Sequence, residues 1–159
     1  MQTIDLEKLD YRAIHQQLSR VYELPTEEQK TTRAALQRAY TEKMQEALRQ
    51  FIGSERFVQM GRPFQRFLYT EGVAFLAKET RSYWLLDMIA SYYPKYRGEP
   101  FLSAHLKAQD GAGQFSLKVD EKVIARQRIP FTDFPMTEIE LWVAENELKG
   151  YTILLPSEY

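Results

Sequence analysis

The run RSYWLLDMIASYY at residues 81–93 sets one carboxylate, Asp87, among side chains that leave water. A carboxylate so placed can be a general acid, a metal ligand or a structural acceptor. On a helix, Asp87 shares a stripe with Tyr83 and Ser91, while Trp84, Leu85, Met88 and Ile89 occupy the rest of the surface. A helix that is apolar nearly all round packs on several sides, and an unpaired carboxylate buried there is costly. Asp87 is therefore expected to be a structural buried carboxylate, bonded by a tyrosine, a backbone end or an arginine such as Arg62 or Arg66.

Other residue types with chemical potential are sparse. His15 falls among polar residues on the outer side of the first helix, and His105 alternates onto the polar face of a strand. Neither has a serine in a strained Gly-x-Ser-x-Gly turn to activate. Gly111-Ala-Gly113 belongs to a hairpin turn, not to a phosphate loop between strand and helix. Asp110 with Asp120 and Lys122 mimics an acid…acid-x-Lys metal-nuclease pattern, but Asp120 and Lys122 flank a turn instead of lying on a strand beside the first acid. There is no cysteine, so disulfides, thiolate nucleophiles and Cys-based zinc sites are excluded. No catalytic residue, metal site or cofactor is expected.

Residues 49–69 hold a different constellation. Arg49, Arg56, Arg62 and Arg66 stand among Phe51, Phe57, Phe64, Phe67 and Tyr69, opposed only by Glu55. Arginine forks suit phosphates and aromatic rings suit bases, so these four arginines are the candidate nucleic-acid-binding residues. The competing expectation puts the aromatics in the core and the arginines on the surface.

The elements that must position these groups follow from periodicity. Leu6, Leu9, Ala13, Ile14, Leu18 and Val21 mark an amphipathic helix from about Asp5 to Tyr22, broken by Leu24-Pro25. Thr26, with Gln29 as its capping-box partner, opens a second helix carrying Leu36, Tyr40, Met44, Leu48 and Phe51. The segment from 53 to 69 reads as an ordered loop. Thr70 caps a third helix, and a fourth runs from about Tyr83 to Tyr93 before Pro94. Beyond Gly98 the period becomes two: Leu102, Ala104 and Leu106 alternate with Ser103, His105 and Lys107, and Phe115, Leu117 and Val119 with Gln114, Ser116 and Lys118. Asp110-Gly111 and Val119–Val123 are reversals, followed by a strand over 123–129. The segment 135–146 also alternates, but Thr137 and Glu140 match a capping box and predict a helix. A last strand covers 151–155. The expected fold is α+β: N-terminal helices followed by a small, mainly antiparallel sheet with one further helix. Residues 1–49 read as a two-helix extension and 50–159 as the α+β domain.

Charge and hydropathy bound the setting. The formal net charge is −1, which supplies no global field for nucleic acid or an anionic membrane. It is unevenly spread, for residues 131–159 carry six acidic side chains against Lys149 alone. No apolar run approaches a membrane span and the first residues are too polar for a signal peptide, so a cytoplasmic protein is expected.

Several strings occur together in a specific order: FIGSERF at 51–57, LYTEGVAFLAKE at 68–79, YWLLDMIASY at 83–92, IPFTDFP at 129–135 and LLPSEY at 154–159. Over about residues 50–159 the chain resembles a family of small uncharacterised bacterial proteins often carried by phages and plasmids. That family has no assigned activity, so no catalytic role transfers. Its members usually begin near FIGSERF and more often have Ala where Ser82 precedes Tyr83. The resemblance implies a mobile-element setting and a protein that works by binding, blocking or recruiting a host or defence component. The expected function is thus a non-catalytic protein-binding module. A nucleic-acid-binding accessory protein using segment 49–69 is the alternative, and the first two helices are a candidate homodimer surface.

Overall fold

A computed structural model describes residues 5–53 and 55–159; residues 1–4, and Ser54 within the FIGSERF string, lie outside the described set. The first expected helix is divided. Asp5 and Asp10 each offer a side-chain oxygen to a backbone N–H two or three residues on, so each starts a new element. A 3-10 turn at Leu6–Lys8 therefore precedes α1 (Tyr11–Ser19), and a second at Val21–Glu23 leads to Pro25. The second helix, α2, spans Thr26–Leu48. Its expected capping box does not form: Pro25 is the N-cap, and the Gln29 side chain donates instead to the Leu24 carbonyl at 2.7 Å.

Thr70 caps α3 (Glu71–Thr80), accepting from the Val73 N–H, as its sequence position predicts. Next come α4 (Tyr83–Ser91) and the single turn α5 (Tyr93–Tyr96). The segment expected as a loop contains two short strands, β1 (Phe57–Gln59) and β2 (Phe67–Thr70), joined through a turn with cis-Pro63. Then follow β3 (Phe101–Gln109), β4 (Ala112–Val119) and β5 (Lys122–Ile129). Asp110 and Gly111 both take positive φ, 55° and 75°, the pair that a type I′ hairpin needs.

The segment expected as a helix at 135–146 is a strand, β6 (Glu138–Glu145), and β7 (Tyr151–Leu154) closes the set. Period two prevails there because Leu141 and Val143 must enter the core together beside Ala104 and Leu102 of β3. Thr137 does not cap a helix; its N–H donates to Thr41 Oγ1 of α2 at 2.8 Å.

Among the described residues the strands form one sheet in the order β1-β2-β7-β6-β3-β4-β5. Every neighbouring pair is antiparallel except β2 with β7. The fold is α+β. Leu102, Ala104, Leu106, Phe115, Leu117 and Ile153 belong to one buried cluster with residues of the helices. Ile14, Val21, Leu36, Tyr40 and Met44, from the segment before residue 50, lie in that same cluster. On the opposite face, Ser103, His105 and Lys107 of β3 and Gln114, Ser116 and Lys118 of β4 lie outside that cluster.

Candidate functional site

Asp87 is exposed, not buried. It shares its stripe with Tyr83 and Ser91 as helical spacing requires, but that stripe faces water, and the buried side of α4 is Leu85, Leu86, Ile89 and Ala90. The helix is long enough to be apolar on three sides and still leave one wet, so no buried role remains for this carboxylate. Glu158 is the carboxylate that is buried. It is 9% exposed and accepts from the Thr70 hydroxyl at 2.6 Å, the Leu155 N–H at 3.0 Å and the Gly72 N–H at 3.3 Å. The strings LYTEG and LLPSEY therefore meet in space. A side chain on Gly72 would stand 2.6 Å from Leu155 and 2.7 Å from Glu158, which explains the glycine.

His15 is half-buried rather than on an outer polar surface. Its ring packs edge-on to Tyr40 at 5.6 Å, and burial, helped by the nearby charge of Arg81, pushes its pKa down. It borders a hollow of about 510 Å³ with Arg12, Arg33, Glu79, Arg81 and Asp133. Arg12 and Glu79 pair through two hydrogen bonds of 2.9 and 3.2 Å, so the wall is of mixed charge.

Asp110 and Asp120 occupy the turns at opposite ends of β4, some 27 Å apart at the usual rise per strand residue, which removes the metal-nuclease pattern. Among the described residues no three His, Asp or Glu side chains converge on a point.

The four arginines of segment 49–69 are all exposed, yet they do not share one site. Arg56 precedes β1 and Arg62 follows it, so the strand separates them. The Arg66 carbonyl accepts from the Asn146 side chain at 3.1 Å. The aromatics divide: Phe67 is buried, Phe51 packs on Phe75, and Phe57 is 51% exposed on the sheet edge. Arg49 alone of the four lines a broad cleft at the end of α2.

That cleft, about 940 Å³, lies on the open side of the sheet. The ends of α2 and of the chain overhang it through Gln45, Arg49, Pro156 and Ser157, and its floor is the polar face of β3 to β6. Strand register sets the floor in rows. Arg128, Gln114, Lys107 and Glu138 form one row; Arg126, Ser116, His105 and Glu140 form the next. A third runs Val123, Lys118, Ser103, Trp142 and Leu154. Trp142 of that row joins Phe101 and Tyr159 in a cluster of edge-to-face rings with centroids 5.3 to 5.8 Å apart.

Five cations, Arg49, Lys107, Lys118, Arg126 and Arg128, thus edge or line this surface against Glu138 and Glu140. Among the described residues no carboxylate comes within ion-pair distance of any of the five. His105 Nε2 lies 3.3 Å from Ser103 Oγ and 3.8 Å from Glu140 Oε1. This is no hydrolytic triad, because base and orienting acid must use different ring nitrogens. Sequence alternation already puts His105, Lys107 and Lys118 on a polar face. What it misses is Trp142, hidden by the helix expected for β6, and the register that aligns four strands.

The chain is thus an α+β protein whose sheet packs helices against one face and carries, on the other, a cation-rich half over β4 and β5 beside the acids of β6. The chain belongs to a family of unknown function, DUF6876, whose profile matches residues 42–159. That range takes in all of the resemblance stated from the strings and leaves α1 and most of α2 outside. No curated protein matches the chain. A crystal structure of a protein of unknown function from Enterococcus faecalis is similar at 19% identity and a TM-score of 0.43, over 58% of this chain and 89% of that one.

Proposed function

We propose that the chain is a non-catalytic nucleic-acid-binding accessory protein that engages its partner through the open sheet face. One observation carries this: a concave cleft in which Lys107, Lys118, Arg126 and Arg49 have no acid at pairing distance among the described residues. Unpaired surface cations on a concave wall attract a polyanion and release its counterions on contact. The site differs from the one expected at 49–69, of which it keeps Arg49. Binding of a labelled oligonucleotide, followed by anisotropy from 50 to 200 mM salt, should weaken steeply. The triple variant Lys118→Ala, Arg126→Ala, Arg128→Ala should lower the slope of log affinity against log salt by about 2 to 3. Absent or salt-insensitive binding, or a triple variant indistinguishable from the parent, would defeat the proposal.

A second reading, the protein-binding module, draws on the sheet edge. Strand β1 is exposed along its whole length, with Phe57 51%, Val58 40% and neighbouring Ile52 81% exposed. An apolar edge strand can be extended by a partner's strand. In this reading the chain is a cytoplasmic protein of phage or plasmid origin that blocks or recruits a host or defence component. A protein partner retained after nuclease treatment and released by Val58→Pro would favour it. Among the described residues no helix is long and apolar enough to cross a membrane.

A further inference from the structure

We infer that the occupant of the open face is single-stranded nucleic acid, with its bases on the Phe101–Trp142–Tyr159 rings and its phosphates on Lys118, Arg126 and Arg128. This rests on the nucleic-acid reading above and names the form of the ligand.

The third row of the floor sets a cation and an aromatic ring on either side of a serine. Lys118 and Trp142 flank Ser103 across neighbouring strands, so their Cα atoms stand about 10 Å apart. The serine between them is small and leaves the row open, which lets one strand touch a cation and an aromatic ring at once. The Trp142 ring is held in place, since its Nε1–H donates to Glu140 Oε1 at 3.0 Å. Tyr159, 80% exposed, extends the ring surface outward. Stacking on such rings needs bases whose faces are free, and a duplex keeps them covered.

Charge separates the lanes in the same sense. The cations of β4 and β5 lie on one side of β3 and the carboxylates Glu138 and Glu140 of β6 on the other. A single strand can set its phosphates over β4 and β5 and its bases towards β6, where Glu140, His105 and Ser103 offer polar contacts to base edges. A duplex has two phosphate rows, and a position that satisfies the cations brings the second row towards the β6 acids. The cleft therefore selects against it.

The test uses the full chain carrying Trp84→Phe, which leaves Trp142 as the sole tryptophan of the original two. A single-stranded DNA 12-mer, an RNA of the same sequence and the corresponding DNA duplex are titrated in turn. A single strand should bind at least tenfold tighter than the duplex and quench Trp142 fluorescence, and Trp142→Leu should cost about tenfold in affinity. If Trp142→Leu does not fold, quenching in the Trp84→Phe chain decides. Equal affinity for duplex and single strand with no quenching overturns this inference and leaves the basic-face reading standing. Failure of all three nucleic acids to bind overturns both.

Discussion

Glu158 joins two parts of the chain that are distant in sequence, the start of α3 and the segment after β7. Its carboxylate takes hydrogen bonds from the Thr70 hydroxyl and the Gly72 N–H at the start of α3, and from Leu155 beyond β7. A negative group there also meets the positive end of the helix. Removing it leaves several buried donors without an acceptor, so Glu158→Ala should lower stability by about 1–3 kcal/mol in urea unfolding. Asp87→Ala, on the wet stripe of α4, should stay within about 0.5 kcal/mol of the parent. His15 makes a prediction of the opposite kind. Its folded pKa lies below the ordinary value of 6.5, first because of burial and then because of Arg81. Below that value the unfolded chain binds more protons than the folded one, so stability falls as pH drops from about 6.5 through the depressed pKa. Above 6.5 this residue contributes no slope. Melts between pH 5 and 7.5 should show the loss, and His15→Gln should flatten it.

Among the described residues, β2 and β7 form the one parallel pair in the sheet, and their approach depends on a residue without a side chain. A Cβ on Gly150 would overlap the Arg66 carbonyl oxygen, a backbone atom that cannot swing away. Gly150→Ala should therefore cost about 1–3 kcal/mol and loosen the β1–β2 edge first, which amide exchange at Phe67–Thr70 would detect. Strand β6 shows how local signals can conflict. Thr137 and Glu140 fit a capping box, yet Ile139, Leu141 and Val143 also alternate, and pairing on both sides favoured the strand. Thr137 found its partner in Thr41, 96 residues away, where no sequence rule could place it.

At the scale of the molecule, the helices before residue 50 are integral to the core. Ile14, Val21, Leu36 and Tyr40 are at most 4% exposed, so these apolar residues of the first two helices are covered within the chain. The near-zero net charge also proves a poor guide to the surface. Acids of the C-terminal section are distributed along β6 and beyond, and the β4–β5 half of the open face remains basic. The helical starts at Thr26 and Thr70, the Asp110-Gly111 hairpin, the period-two strands and the α+β class were legible in the sequence, because each rests on residues within a few positions of one another. The burial of Glu158 instead of Asp87, the strand at β6 and the row joining Lys118 to Trp142 were decided only by tertiary structure. Each depends on which distant segment lies alongside, and strand register and helix packing settle that through contacts no local spacing records.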